Sequence, residues 1–283
     1  MSGASRGLGR GIAHVLAAEG ASLALCARGE RQLQAAADEI HEKHDIPVLV
    51  AALDVRDPGA VRDFAQESRR VLGPAYALIN NAAVLGPVGR IDAVDLDEWQ
   101  RAFEINVGGV ANLCAAFAPQ MADLGRGSII NVSGGGTGGP NVPGRISAYT
   151  TAKAAVAILT ETLAKELAPS KIRVNALAPG PLPTGFLHPV LEAGPEVAGA
   201  ALYEEATGKA VAPDDDSAVS EVIASLVRYL LSEESEWLTG KLVSARWESA
   251  EELQASKNRL ASTSLLTLRR IDGTLFGELH TST

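Results

Sequence analysis

Apolar residues along this chain keep two rhythms, and the two alternate from residue 10 onward. Short apolar runs without regular polar partners predict strands covered on both faces: ASLALCAR at 21–28, IPVLVAALDV at 46–55, YALINNAA at 76–83, GSIINVSG at 127–134, IRVNALAPG at 172–180 and TGKLVSA at 239–245. Between them apolar positions recur every three or four residues, in GIAHVLAAEG at 11–20, ERQLQAAADEIHEKH at 30–44, PGAVRDFAQESRRVLG at 58–73, the long stretch 96–124, YTTAKAAVAILTETLAKELAP at 149–169 and SAVSEVIASLVRYLLSE at 217–233. That spacing predicts amphipathic helices. Strand and helix in turn imply a doubly wound α/β fold, a mostly parallel sheet with helices on both faces. Ligands of such sheets bind beyond the carboxyl ends of the strands, so chemistry belongs in the turns that leave them.

Two segments break the alternation. Residues 181–215 are rich in Pro, Gly and Ala, carry only a short helical stretch and read as a substrate lid over the ligand crevice. After Ala245 only ESAEELQASKNRL at 248–260 has a helical pattern, read as a surface helix. The rest of 246–283 reads as an extension packing on the same domain or on a neighbouring subunit, outside one domain at 1–245.

Composition narrows the function. A net charge of -9 argues against a nucleic-acid surface, so any phosphate chemistry must be local. No apolar run approaches the roughly 18 residues of a membrane helix. The polar, glycine-rich start is unlike a signal peptide, which points to the cytoplasm. Cys26 and Cys114 lie in apolar segments with no metal-ligand or CxxC spacing and read as buried thiols; no metal site is expected.

Chemistry gathers in a few places. Gly3, Gly7 and Gly9 open a helix in SGASRGLGRGIA, with Ser5, Arg6 and Leu8 between them. Glycines there permit a tight turn and close approach of a phosphate to free N–H groups at the positive end of a helix. Tyr149 and Lys153 are four apart at a helix start and share one face. A neighbouring ammonium would pull the phenol down from its ordinary pKa of about 10 toward a working acid/base.

The opening loop, LINNAA at 78–83, EINV at 104–107, YTTAK at 149–153 and NALAPGPLPT at 175–184 together resemble the short-chain dehydrogenase/reductase family over residues 1–245. The resemblance implies a Rossmann fold, a nicotinamide cofactor, a small-molecule alcohol or carbonyl substrate and a homodimer or homotetramer. It implies that Tyr149 moves the substrate proton, that Lys153 also holds the nicotinamide ribose, and that Asn106 holds a water relaying protons to Lys153, unless that amide is simply satisfied in the core. It places Asn81, Ala82 and Ala83 by the adenine ribose, Asp54 on the adenine amino group beside Val55, and Pro179, Gly180, Leu182 and Thr184 along the cofactor. Where relatives that prefer NAD carry an Asp, this chain has Ala27 then Arg28, and Arg6 stands in the loop, which favours NADP over NAD unless both arginines are solvated.

Two departures stand out. The family's catalytic serine, second of a Ser-Ser pair after the strand at 127–132, is Gly134 here, leaving Ser133, Thr137, Ser147 or the N–H groups of 134–136 to serve. A catalytically impaired or non-catalytic cofactor-binding relative is the alternative this opens. The resemblance also implies a first, central strand ahead of Ser2, which the sequence leaves apparently missing.

Overall fold

The computed structural model describes residues 1–182, 184–208 and 219–269. Helix α1 (Gly7–Ala18) leads to β1 (Leu23–Ala27), α2 (Glu30–His44), β2 (Val48–Ala52), α3 (Pro58–Leu72) and β3 (Ala77–Asn80). A continuous helix follows, α4 (Leu96–Phe103) joined to α5 (Gly109–Leu124) through a π-helical turn at Glu104–Gly108, and then β4 (Gly127–Val132), α6 (Ser147–Leu167) and β5 (Ile172–Ala178). The chain continues through α7 (His188–Ala198), α8 (Ala200–Gly208), α9 (Glu221–Leu231), β6 (Leu242–Ser244), α10 (Ala250–Ala255) and α11 (Lys257–Ser262).

Helix starts follow local chemistry. Asp57 accepts from the N–H groups of Gly59 and Ala60 with Pro58 opening α3, Asp95 does the same for α4, and Ser220 caps α9. Helix α1 starts without such help: Arg6 gives no side-chain cap and no acid lies in the first turn.

All strand pairings are parallel. β1 pairs with β2, and β3, β4, β5 and β6 pair in that order, with Gly127 opposite Ile172 and Val132 opposite Leu177. The slot between β1 and β3 is held by Met1 and Ser2. Cys26 N–H donates to Met1 O at 2.9 Å, Gly3 N–H to Cys26 O at 2.8 Å, and Ser2 N–H to Ile79 O at 3.0 Å. The expected missing strand is therefore not confirmed, since these two residues bond to both neighbours and join the two sets of strands.

Adjacent strand residues serve opposite layers. Leu25, Ile79 and Ile130 pack with Ile12 of α1 and Leu226 and Leu230 of α9, whereas Cys26, Leu78 and Ile129 pack with Phe64 of α3 and Phe117 and Met121 of α5. Both faces are buried, which is why these strands read as unbroken apolar runs. Each such Leu or Ile contributes about 1.5–3 kcal/mol.

Two expectations are corrected. Residues 181–208 are mostly helical, with α7 kinked at Gly194 (φ 73°) ahead of Pro195, rather than carrying one short helical stretch. The part of the expected lid at 209–215 lies outside the described residues. The tail helix is two short helices whose Leu253 and Leu260 are buried in the layer of α1 and α9. Residues 246–269 thus pack on their own domain, tied by Leu242 N–H to Leu266 O at 2.7 Å and by Arg269 to Glu161 of α6 at 2.6 Å, and the rest of the extension lies outside the described residues.

Candidate active site

The carboxyl ends of β1, β2, β3, β4 and β5 open into one cleft of about 1160 Å³. Its floor is the turn before α1. Gly3 has φ 65°, and a Cβ there would lie 2.8 Å from Ala82 Cα; a Cβ on Gly9 would lie 2.0 Å from Gly3 O. Neither position admits a side chain. Asn81 braces the turn from β3, its Nδ2 donating to Gly3 O at 2.9 Å, while Ser2 Oγ accepts from the N–H groups of Asn81 and Ala82 at 3.1 Å each. Gly7 (φ 53°) begins α1, and a Cβ there would lie 3.5 Å from Thr184 across the cleft. An uncapped helix N-terminus over a turn stripped of side chains fits a pyrophosphate.

Nearly every residue expected at the site lines this cleft: Gly3 to Gly9 without Ala4, Arg28, Asp54, Val55, Asn81 to Ala83, Ser133, Tyr149, Lys153, Pro179, Gly180, Leu182 and Thr184. Arg6 and Arg28 are exposed at its rim. Asp54 is clamped by Arg56, whose Nη2 donates to Oδ2 at 2.7 Å and whose backbone N–H donates to Oδ1 at 3.0 Å. That pairing, joined by Arg28 from a distance, holds the carboxyl below its usual range.

Three of the expected residues are held by bonds within the protein. Asn106 is fully buried and does not line the cleft; its amide is satisfied by one residue, Nδ2 donating to Val84 O at 2.8 Å and Oδ1 accepting from Val84 N–H at 2.9 Å. These two bonds fix the π-helical turn to the segment after β3. Ser133 Oγ, 1% exposed at the residue level, donates to Lys153 O at 3.3 Å and so turns into α6. Ser147 Oγ accepts from Trp99 Nε1 at 3.0 Å, away from the cleft.

Lys153 lies with its ammonium 5.7 Å from the centre of the Tyr149 ring, and its Nζ donates to Val132 O at 2.6 Å. Burial lowers it to about 8. Burial raises Tyr149 above its ordinary value, the reverse of the expected pull. The glycine loop is laid against that ring: a Cβ on Gly134 would lie 3.0 Å from Tyr149 Oη, and one on Gly135 3.3 Å from Cδ1 and Cε1. Beneath, a buried chain from Asn80 through Asn131 (2.8 Å) to Thr160 (2.9 Å) ties β3 and β4 to α6.

Of the wall residues, the sequence did not single out Leu85, Ile146 or those of the tail. Leu85, Ile146, Phe186, Leu187 and Leu202 form an apolar side, and Arg246, Trp247, Leu266 and Thr267 bring the C-terminal extension to the rim. Trp247, 58% exposed beside the last strand, is the one signal that could have marked that contribution.

A glycine turn on a helix N-terminus, at the carboxyl edge of a parallel sheet and facing a Tyr-Lys pair, defines a dinucleotide-binding oxidoreductase site. A family described as short chain dehydrogenase matches residues 1–194. The chain belongs to the short-chain dehydrogenase/reductase family. It is 33% identical over 242 residues to the 3-alpha-(or 20-beta)-hydroxysteroid dehydrogenase of Mycobacterium tuberculosis, covering 85% of this chain and 84% of that protein. Its fold matches carveol dehydrogenase of Mycobacterium avium in complex with NAD (TM-score 0.73, 27% identity, 86% and 94% of the two chains). It matches equally YwfH, an NADPH-dependent reductase involved in bacilysin biosynthesis (TM-score 0.72, 27% identity, 86% and 94%). The fold is thus the expected Rossmann arrangement. No helix among the described residues is long and apolar enough to cross a membrane.

Proposed function

We propose that this chain is an NADP-dependent alcohol dehydrogenase or carbonyl reductase acting on a small, largely apolar substrate, with Tyr149 as general acid/base and Lys153 behind it. The observation that carries the reading is Tyr149 Oη, set against Gly134 in the same cleft as the glycine turn. When bound, the nicotinamide gives or takes the hydride. Tyr149 gives its proton to the carbonyl oxygen in reduction and receives one from the hydroxyl in oxidation. Burial keeps the phenol protonated, which suits reduction, and Lys153 holds a proton that can replace it. Gly3 to Gly9 would hold the pyrophosphate, Arg6 and Arg28 the 2′-phosphate, and Asp54, Val55 and Ala82 would flank the adenine.

The apolar wall of Leu85, Ile146, Phe186, Leu187 and Leu202 suits an alicyclic alcohol or ketone, in keeping with two relatives named for hydroxysteroids and for carveol. Residues 181–215 would serve as the lid and 246–283 as an extension that completes the rim. A cytoplasmic homodimer or homotetramer, built on the helices at 96–124 and 149–169, accompanies this reading; Leu124 and Ile158 are exposed on them.

The test is NADPH oxidation against a panel of carbonyl compounds. Wild type should turn over, and Tyr149→Phe should lose at least 100-fold in kcat, within the range of about 10² to 10⁴ for a general acid. Unchanged turnover in the variant would refute the assignment. A second reading rests on Gly134, which carries no hydroxyl where relatives have one: a chain that binds cofactor without catalysis would bind NADPH and turn over nothing on the panel.

A further inference from the structure

A carbonyl oxygen that accepts hydride at its carbon gathers negative charge, and a second donor beside Tyr149 would stabilise it. The hydroxyl groups near the end of β4 can be sorted by what they already bond. Ser133 Oγ is committed to Lys153 O. Ser147 is committed to Trp99 and lies outside the cleft. Gly134 cannot be exchanged for a serine in place: its φ is 148°, and any Cβ would meet Tyr149 Oη at 3.0 Å.

Thr137 differs from all three. It lines the cleft, and its Oγ1 is buried with no hydrogen-bond partner among the described residues. Its N–H donates to Gly134 O at 3.1 Å, closing a tight turn that begins where the loop touches the tyrosine. A shielded, unsatisfied hydroxyl in a ligand cleft asks for a partner from the ligand.

We propose that Thr137 Oγ1 donates to the substrate oxygen that Tyr149 protonates, so that this chain takes its second donor from the turn after β4 rather than from the strand end. The inference rests on the oxidoreductase reading. Positive φ at Gly134, Gly135 and Gly136 bends this loop, with Gly134 and Gly135 laid against the Tyr149 ring and Thr137 following in the same turn.

The experiment compares wild type, Thr137→Val, Thr137→Ser and Tyr149→Phe on one carbonyl that wild type reduces, together with the NADPH Kd by fluorescence and Tm. Thr137→Val keeps the shape and removes the hydroxyl. It should lower kcat by about 10² to 10³, the loss seen for one oxyanion donor, while the NADPH Kd stays within about twofold. Its Tm should be unchanged or higher, because no folded-state bond is lost. Thr137→Ser should stay near wild type in kcat. If Thr137→Val keeps its kcat while Tyr149→Phe loses it, the oxidoreductase reading stands, this inference falls, and the donor is the backbone N–H groups of 134–136. If Val and Ser lose activity and Tm alike, Thr137 is structural and the inference also falls. No turnover by wild type overturns both.

Discussion

Lys153 carries its ammonium into the interior with one hydrogen bond, to Val132 O, and no carboxylate partner among the described residues. Water is exchanged for a single carbonyl, which is why its pKa falls to about 8. Below pH 8 both folded and unfolded states hold the proton, and the penalty is fully present. Between about 8 and the unfolded value near 10.5 only the unfolded state holds it, so this group's contribution to stability rises with pH. The shift corresponds to roughly 3 kcal/mol. Cys26 and Cys114 act oppositely: burial raises them to about 11 and about 12, and the stability they lend is lost as pH climbs past their unfolded values near 9. Denaturant unfolding of wild type and Lys153→Met separates the two, because the thiols are common to both. The variant's advantage at pH 7 should shrink as pH goes from 8 to 10.5, and a constant gap would refute a buried, unpaired ammonium. The Tyr149–Lys153 pair was legible from a spacing of four, whereas the direction of the phenol's shift was not. Spacing reports which side chains share a helix face; it is silent on the Val132 carbonyl that β4 delivers to the ammonium.

At the scale of elements, alternation sufficed wherever an element buries both faces or one broad stripe, and all six strands appear where the apolar runs lie. It failed where tertiary packing decides. In α7 and α8, Gly194 and Pro195 read as breakers, yet helical turns meet around them and bury Val190, Ala198 and Leu202. In the tail, Leu253 and Leu260 are too few to show a stripe and gain their burial only from α1 and α9. The tail also shapes the site through one cation. Lys241, mostly buried and lowered by burial, donates through Nζ to Thr263 O at 2.7 Å and Leu265 O at 2.9 Å. This fastens the segment that sets Leu266 and Thr267 in the cleft wall. Hydrogen bonds from a charged donor contribute about 1.5–3 kcal/mol each before the ammonium's own desolvation is subtracted. Lys241→Met should therefore loosen 263–269 locally more than it unfolds the whole. Faster amide exchange at Leu266 to Leu268, with a several-fold higher substrate KM and an unchanged NADPH Kd, is the expected outcome. Unaltered exchange would show that Leu253 and Leu260 hold the tail without it.

For the molecule as a whole, a net charge of -9 must accept an anionic dinucleotide. A chain of 283 residues has a radius near 19 Å, so the summed charge costs each ligand charge about 2 kcal/mol in unscreened water. At 0.15 M salt, with a Debye length of about 8 Å, that falls to a few tenths of a kcal/mol. Repulsion by the whole protein is thus a low-salt effect, and at physiological salt the contacts inside the cleft decide. There Arg6 and Arg28 stand at the rim beyond β1, with Ala27 where an acid would repel a 2′-phosphate. NADPH and NADH differ only in that phosphate, so the ratio of their Kd values cancels the common repulsion and every shared contact. Arg28→Ala, measured at 0.15 M salt, should cut that ratio by at least about tenfold, the 1.4 kcal/mol of one charge-assisted contact, with the NADH Kd within about threefold of wild type. An equal loss for both cofactors would mean that Arg28 holds the shared part of the dinucleotide or only tunes Asp54, whose carboxyl already feels its charge. A ratio near one in the wild type would remove the preference for NADP itself while leaving the glycine turn and Tyr149 in their roles.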